Sequence, residues 1–215
     1  MMYKIAYIDE DAAAINNFYH YFKSTFEILK IKVDTQSSID SIIQETLDNH
    51  VDAIMVDYML DEEGDVDFNG NLIFDQIKKT RPHFPIIMLT SHEPQAIDHM
   101  EEVHIIYSKD ILDGESSEEL EIFKSKIKSS IERYYSKIRN TEKSIEELVK
   151  KKNENGLEPS EEGDLTKLYI IMDELDPEGK ELPSNLIQHE SITKLNEFVA
   201  QTKEILDELK KSKKE

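Results

Sequence analysis

Four places in the sequence set chemistry-bearing polar residues at the end of a short apolar run. YKIAYI (3–8) leads into Asp9, Glu10 and Asp11, and DAIMVD (52–57) ends in Asp57. FPIIML (84–89) leads into Thr90 and Ser91, and VHIIY (103–107) leads into Ser108 and Lys109. Asp57 poses the question most sharply, because a carboxylate closing the run Ala-Ile-Met-Val is costly to bury without partners. In a doubly wound sheet the carboxyl ends of the strands gather along one edge, where ligands bind. Carboxylates brought together there repel, and a divalent cation with a nearby ammonium group offsets the repulsion. Lys109 supplies such an ammonium.

The elements that must position these residues alternate in kind. Strand-like runs lie at 3–8, 31–35, 52–57, 84–89 and 103–107, and helical stretches at 12–29, 37–48, 71–80 and 94–101, with a fifth helix after Gly114. A helix start is expected at Ser37, with Asp40 three residues on. The order argues for βαβ units around a parallel sheet covered on both faces, whose central strands read as continuous apolar runs.

An acidic pair after strand one, an Asp ending strand three, a Thr after strand four and a Lys after strand five together resemble the receiver domain of two-component response regulators. The resemblance covers about residues 1–135. It implies an α/β fold, a flavodoxin-like five-stranded parallel sheet of order 2-1-3-4-5. By the same resemblance Asp57 is the phosphoacceptor, Glu10 and Asp57 bind Mg²⁺ with the Met59 carbonyl, and Asp9 is an outer-shell ligand. Thr90 and Lys109 would meet the phosphoryl oxygens. These residue types suit the chemistry: a carboxylate attacks phosphorus in line, and Mg²⁺, Lys and Thr hold the developing charge. The implied partner is a sensor histidine kinase. The sequence departs from the family in two places. Lys109 is followed by Asp110 rather than proline, and the position of the usual aromatic switch residue holds Ile106, with Tyr107 beside it.

Two alternatives come from other classes. In the acidic insertion 61–69 and the glycine after it, DVDFNG (65–70) matches the opening of an EF-hand calcium loop through Asp65, Asp67 and Asn69, but the twelfth position is Gln76 and a strand precedes it. The other reading of this segment is a solvated insertion whose Asn69-Gly70 opens helix three. HESIT (189–193) resembles the His-Glu-x-x-Thr of histidine-kinase phosphoacceptor helices, which would make His189 part of a phosphotransfer intermediate, although Lys194 replaces the usual proline. A dehalogenase-type aspartate phosphatase would need a second Asp two residues after Asp57, where Met59 stands.

The chain of 215 residues has a formal net charge of −20 and no cysteine. Disulfides, thiolate catalysis and Cys-based zinc sites are thereby excluded. The acidity opposes nonspecific nucleic-acid binding and anionic membranes. No stretch reaches the roughly 18 apolar residues of a membrane span, and MMYKIAYIDE lacks a signal peptide's layout, so a cytoplasmic protein is expected. Residues 136–215 form the second region, an α-helical output module. From 141 on there are 19 Asp plus Glu against 12 Lys and no Arg, which opposes DNA binding and leaves protein contacts as the output.

Ser116 to Lys152 is free of Pro and Gly and reads as one long helix, followed by helices near 161–175 and 184–212. Along the long helix Leu120, Ile127, Tyr134, Thr141 and Leu148 recur every seven residues, with Ile131, Ile138 and Ile145 offset by four. This is a coiled-coil stripe. Either a homodimer or the chain's own tail helices would cover it.

Overall fold

The computed structural model describes residues 2–62, 64–112 and 117–176. Strands β1 (Lys4–Asp9), β2 (Glu27–Lys32), β3 (Ala53–Val56), β4 (Ile86–Thr90) and β5 (Ile106–Ser108) form one parallel sheet in the order β2-β1-β3-β4-β5. Helices α1 (Ala12–Phe22), α2 (Ile39–Asp48), α3 (Gly70–Thr80) and α4 (Glu93–His99) connect them, and α5 (Ser117–Asn155) and α6 (Pro159–Leu175) follow. The expected fold class and strand order are both found.

Strand alternation divides the core between the two faces. Ile5 and Tyr7 of β1 point to one side, packing with Phe18 and Phe22 of α1 and with Phe123, Ile127 and Ile131 of α5. Ala6 and Ile8 point to the other, among Ile42 of α2 and Ile73 and Ile77 of α3.

Several boundaries differ from expectation. α1 ends at Phe22 rather than near 29, and β2 begins at Glu27 rather than 31, pairing Lys4 with Glu27 through Asp9 with Lys32. The residues that read as a last helical turn are an edge strand, recruited by hydrogen bonds to β1. Residues 103–105 form a 3-10 turn, so β5 starts at Ile106 instead of 103. α2 is capped by Ser38 rather than Ser37, in a reciprocal capping box with Ser41.

α5 runs for 39 residues, about 58 Å, unbroken across residue 135. Its first half lies on the sheet. Beyond that, Tyr134, Ile138 and Ile145 are buried in one cluster with Leu165, Met172 and Leu175 of α6, so the stripe is covered by the same chain. Of the two covers expected for the stripe, the described structure supplies the intramolecular one. Gly156, in the left-handed region at φ 79°, ends α5, and Pro159 occupies the first turn of α6. The Lys151–Glu161 ion pair bridges the connection. His189 and the apolar positions expected over 184–212 lie outside the described residues. Among the described residues no helix is long and apolar enough to cross a membrane.

Candidate functional site

At the carboxyl ends of β1, β3, β4 and β5 the sheet brings together Asp9, Glu10, Asp57, Thr90 and Lys109. The first four are buried. Asp9, Glu10 and Asp57 each place one carboxylate oxygen within 4.8 Å of the others, the group of metal-capable acids found among the described residues. The Lys109 ammonium lies between two of them, 2.9 Å from Asp57 Oδ2 and 2.8 Å from Asp9 Oδ2. Asp57 Oδ1 accepts from the Tyr58 N–H at 2.7 Å, which orients the carboxylate. The Thr90 hydroxyl accepts from the His92 N–H at 3.0 Å, leaving its own proton for the Asp57 side. Lys109, Tyr58 and Thr90 thus offset part of the cost of burying Asp57.

The balance remains unfavourable for three acids against one cation. Burial pushes Glu10 up to about 7, with Asp9 and Asp57 adding repulsion against backbone hydrogen bonding and Lys109. Burial also raises Asp57 above the ordinary aspartate value, opposed by Lys109 and Thr90. For Lys109 burial works downward, but Asp57 and Asp9 outweigh it and the net shift is upward. Glu10 Oε2 is buried without a hydrogen-bond partner. An orphaned carboxylate oxygen beside two further acids suits a hard divalent cation, which takes oxygen ligands. Mg²⁺ therefore fits the residues present.

Other expected members have other roles. The Asp11 side chain accepts from the Ala13 N–H at 2.7 Å and caps α1. Ser108 Oγ accepts from the Asp110 N–H. Met59 follows Asp57 in the loop and is partly buried. The Asn69 amide oxygen accepts from the Leu60 and Asp61 N–H groups at 2.9 and 3.2 Å. That commits to the loop's own backbone an oxygen that a calcium site would need, and the Asn69-Gly70 start of α3 is found instead.

Two further residues of the site, Tyr7 and His92, carry no reading from sequence, and a third, Gly70, is read there only as the start of helix three. Tyr7 is fully buried, and its hydroxyl donates to Asp9 Oδ2 at 2.5 Å. Its signal was the two-residue spacing that puts both side chains on one face of β1. Gly70 opens α3 against the end of β3, where an added Cβ would stand 1.9 Å from the Asp57 carbonyl oxygen. His92 heads α4 with a buried, unpartnered Nδ1, and nothing in its spacing announced it.

No described protein family and no curated protein matches this sequence. Solved structures do. A response regulator receiver domain protein from Clostridium thermocellum aligns over 61% of this chain and 96% of its own, at 23% identity and a TM-score of 0.45. The BeF3-activated receiver domain of DrrB, a Thermotoga maritima protein, aligns over 61% and 99%, at 20% identity and a TM-score of 0.45. A structure described as adenylate cyclase from Rhodopirellula baltica aligns over 70% and 99%, at 17% identity and a TM-score of 0.48. Over about 61% of its length, this chain is similar to response regulator receiver domains.

Proposed function

We propose that this protein is a cytoplasmic two-component response regulator whose receiver takes up a phosphoryl group on Asp57 and signals through protein contacts of its helical module. The observation that carries this reading is the placing of Asp57 Oδ2 on the Lys109 ammonium, beside the converging carboxylates of Asp9 and Glu10.

In the reaction an Asp57 carboxylate oxygen forms the new bond to phosphorus while the bond to the donor's leaving group breaks, its electrons departing with that group. The donor is the phosphohistidine of a sensor kinase or a small acyl phosphate. Asp9, Glu10, Asp57 and the Met59 carbonyl would hold Mg²⁺, which when bound supplies positive charge for the phosphoryl oxygens. Lys109 exchanges its bond to Asp57 for one to a phosphoryl oxygen, and the Thr90 hydroxyl donates to another. Glu10, raised to about 7 by burial, would have to be ionised to serve as a ligand. These exchanges alter what Lys109 and Thr90 hold, and a two-state protein converts such a local change into an altered surface.

The test is intact-mass analysis after incubation with Mg²⁺ and acetyl phosphate. Wild type should gain one labile phosphoryl group, lost on mild alkaline treatment, and Asp57→Asn should gain none. An equal adduct on Asp57→Asn would overturn the assignment.

A further inference from the structure

On the α2–α3 side of the sheet, remote from the carboxylate site, the middle of α5 stands off from the receiver. A cleft of about 480 Å³ remains between them. Ile43, Leu47, Ile77, Phe84, Tyr134 and Ile138 give it apolar walls, contributed by three helices and the loop before β4. Asp176, the last residue described, also lines it. Tyr134 donates its hydroxyl proton to the Leu175 carbonyl, tying the end of α6 to the wall of the cleft. The chain is therefore delivered to this cleft with 39 residues, 177–215, still to place.

Those residues carry the apolar side chains such a cleft accepts. Leu186, Ile192, Leu195, Phe198, Ile205 and Leu209 recur at helical spacing in a stretch without Pro or Gly after Pro183. The linker before them, DPEGKELP, is rich in breakers and suits a reversal of direction. The ten residues from 177 to 186 span about 33 Å at most, ample to return to any wall of a cleft that begins at residue 176. Tethering also favours this occupant over a free one, since a short linker holds it at an effective concentration of order millimolar.

We propose that segment 184–212 of the same chain docks its apolar face into this cleft, closing a three-helix module against α2 and α3. The segment joins the helical module to the receiver on a face that the phosphorylation chemistry does not use. The proposal stands independently of the reaction at Asp57.

The absence of native cysteine allows a direct test on the full chain. A nitroxide attached through Gln44→Cys, on the rim of the cleft, should abolish amide NMR signals within 184–212 of the same molecule. A nitroxide attached through Asn17→Cys, on the exposed side of α1, should leave them intact. In a mixture of isotope-labelled native chains and unlabelled chains carrying the Gln44→Cys nitroxide, the signals should survive. Their loss in that mixture would assign the cleft to a second copy and overturn the proposal, as would retained signals in every sample or equal loss from both label positions. Replacing Leu195→Glu together with Phe198→Glu should restore the signals in the Gln44→Cys protein. Persistence of the loss in that variant would overturn apolar docking.

Discussion

At the carboxyl ends of β1, β3 and β5, Asp9, Asp57 and Lys109 meet at 2.8–2.9 Å, whereas Ile138, Ile145, Leu165 and Met172 make the seam between α5 and α6. The first region gathers buried charge around one ammonium, with a Glu10 oxygen left unpartnered. The second chiefly removes apolar surface from water, with the Lys151–Glu161 ion pair out at the connection between its helices. Stability at the core of the seam should answer to volume, while stability at the site should answer to protons and cations. The contrast shows how one chain can keep a poised, electrostatically strained centre: the apolar regions hold the fold, so the site need not.

The largest expected effect is at the seam. Ile145 is fully buried, and Ile145→Ala should cost about 4 kcal/mol, the transfer term plus an unfilled cavity. Denaturant unfolding should give the same loss at pH 5 and pH 8. A strong pH dependence of that loss would break the comparison.

Gly70→Ala comes next, because its methyl would collide with the Asp57 carbonyl oxygen. Overpacking of this kind should cost about 3 kcal/mol. It should also slow phosphorylation by acetyl phosphate, which Ile145→Ala should leave unchanged. Equal labelling rates for the two variants would detach Gly70 from the site.

A smaller effect sharpens the contrast from the electrostatic side. With its carboxyl raised to about 7, Glu10 keeps a proton in the folded protein that the unfolded chain has released. Its contribution is therefore fully present below about pH 4.5 and is lost as pH rises to about 7, by at most about 3 kcal/mol and, after solvent screening, roughly 2 kcal/mol in metal-free protein. The raised Asp57 adds a slope of the same sign. Glu10→Gln should flatten most of this slope, and Mg²⁺ should offset it in wild type. Unfolding free energies in chelator across this range give the check. An undiminished slope in Glu10→Gln would assign it elsewhere.

The five residues gathered at the site were legible because each follows a short apolar run, four of them behind the central strands β1, β3 and β4, and the strand order came from the resemblance that those residues carry. Periodicity worked less well where a strand is at the edge. Glu27–Lys32 reads EILKIK, two of whose side chains are exposed lysines, and no Gly or Pro separates it from α1, so local pattern alone extended the helix. Only pairing with β1 distinguishes it. The run VHIIY fits a strand and a 3-10 turn equally, and β5 takes only its end. The stripe on α5 was plain in the heptad spacing, yet its cover depends on α6 reversing at Gly156, a tertiary fact that spacing along one helix cannot contain. Tyr7 was concealed by its own chemistry, since a tyrosine in an apolar strand reads as core until its hydroxyl is seen on Asp9.

The close approach at Gly70 has a mechanical meaning as well. α3 begins with its backbone seated on Asp57 and the Gly70 N–H bonded to the Tyr58 carbonyl, and eleven residues later it ends among Ile77, Thr80 and Arg81 at the cleft beneath α5. A helix of that length is a strut of about 16 Å, stiff along its axis. With no side chain between its first turn and the Asp57 backbone, the strut joins the floor of the carboxylate cluster directly to the cleft beside α5.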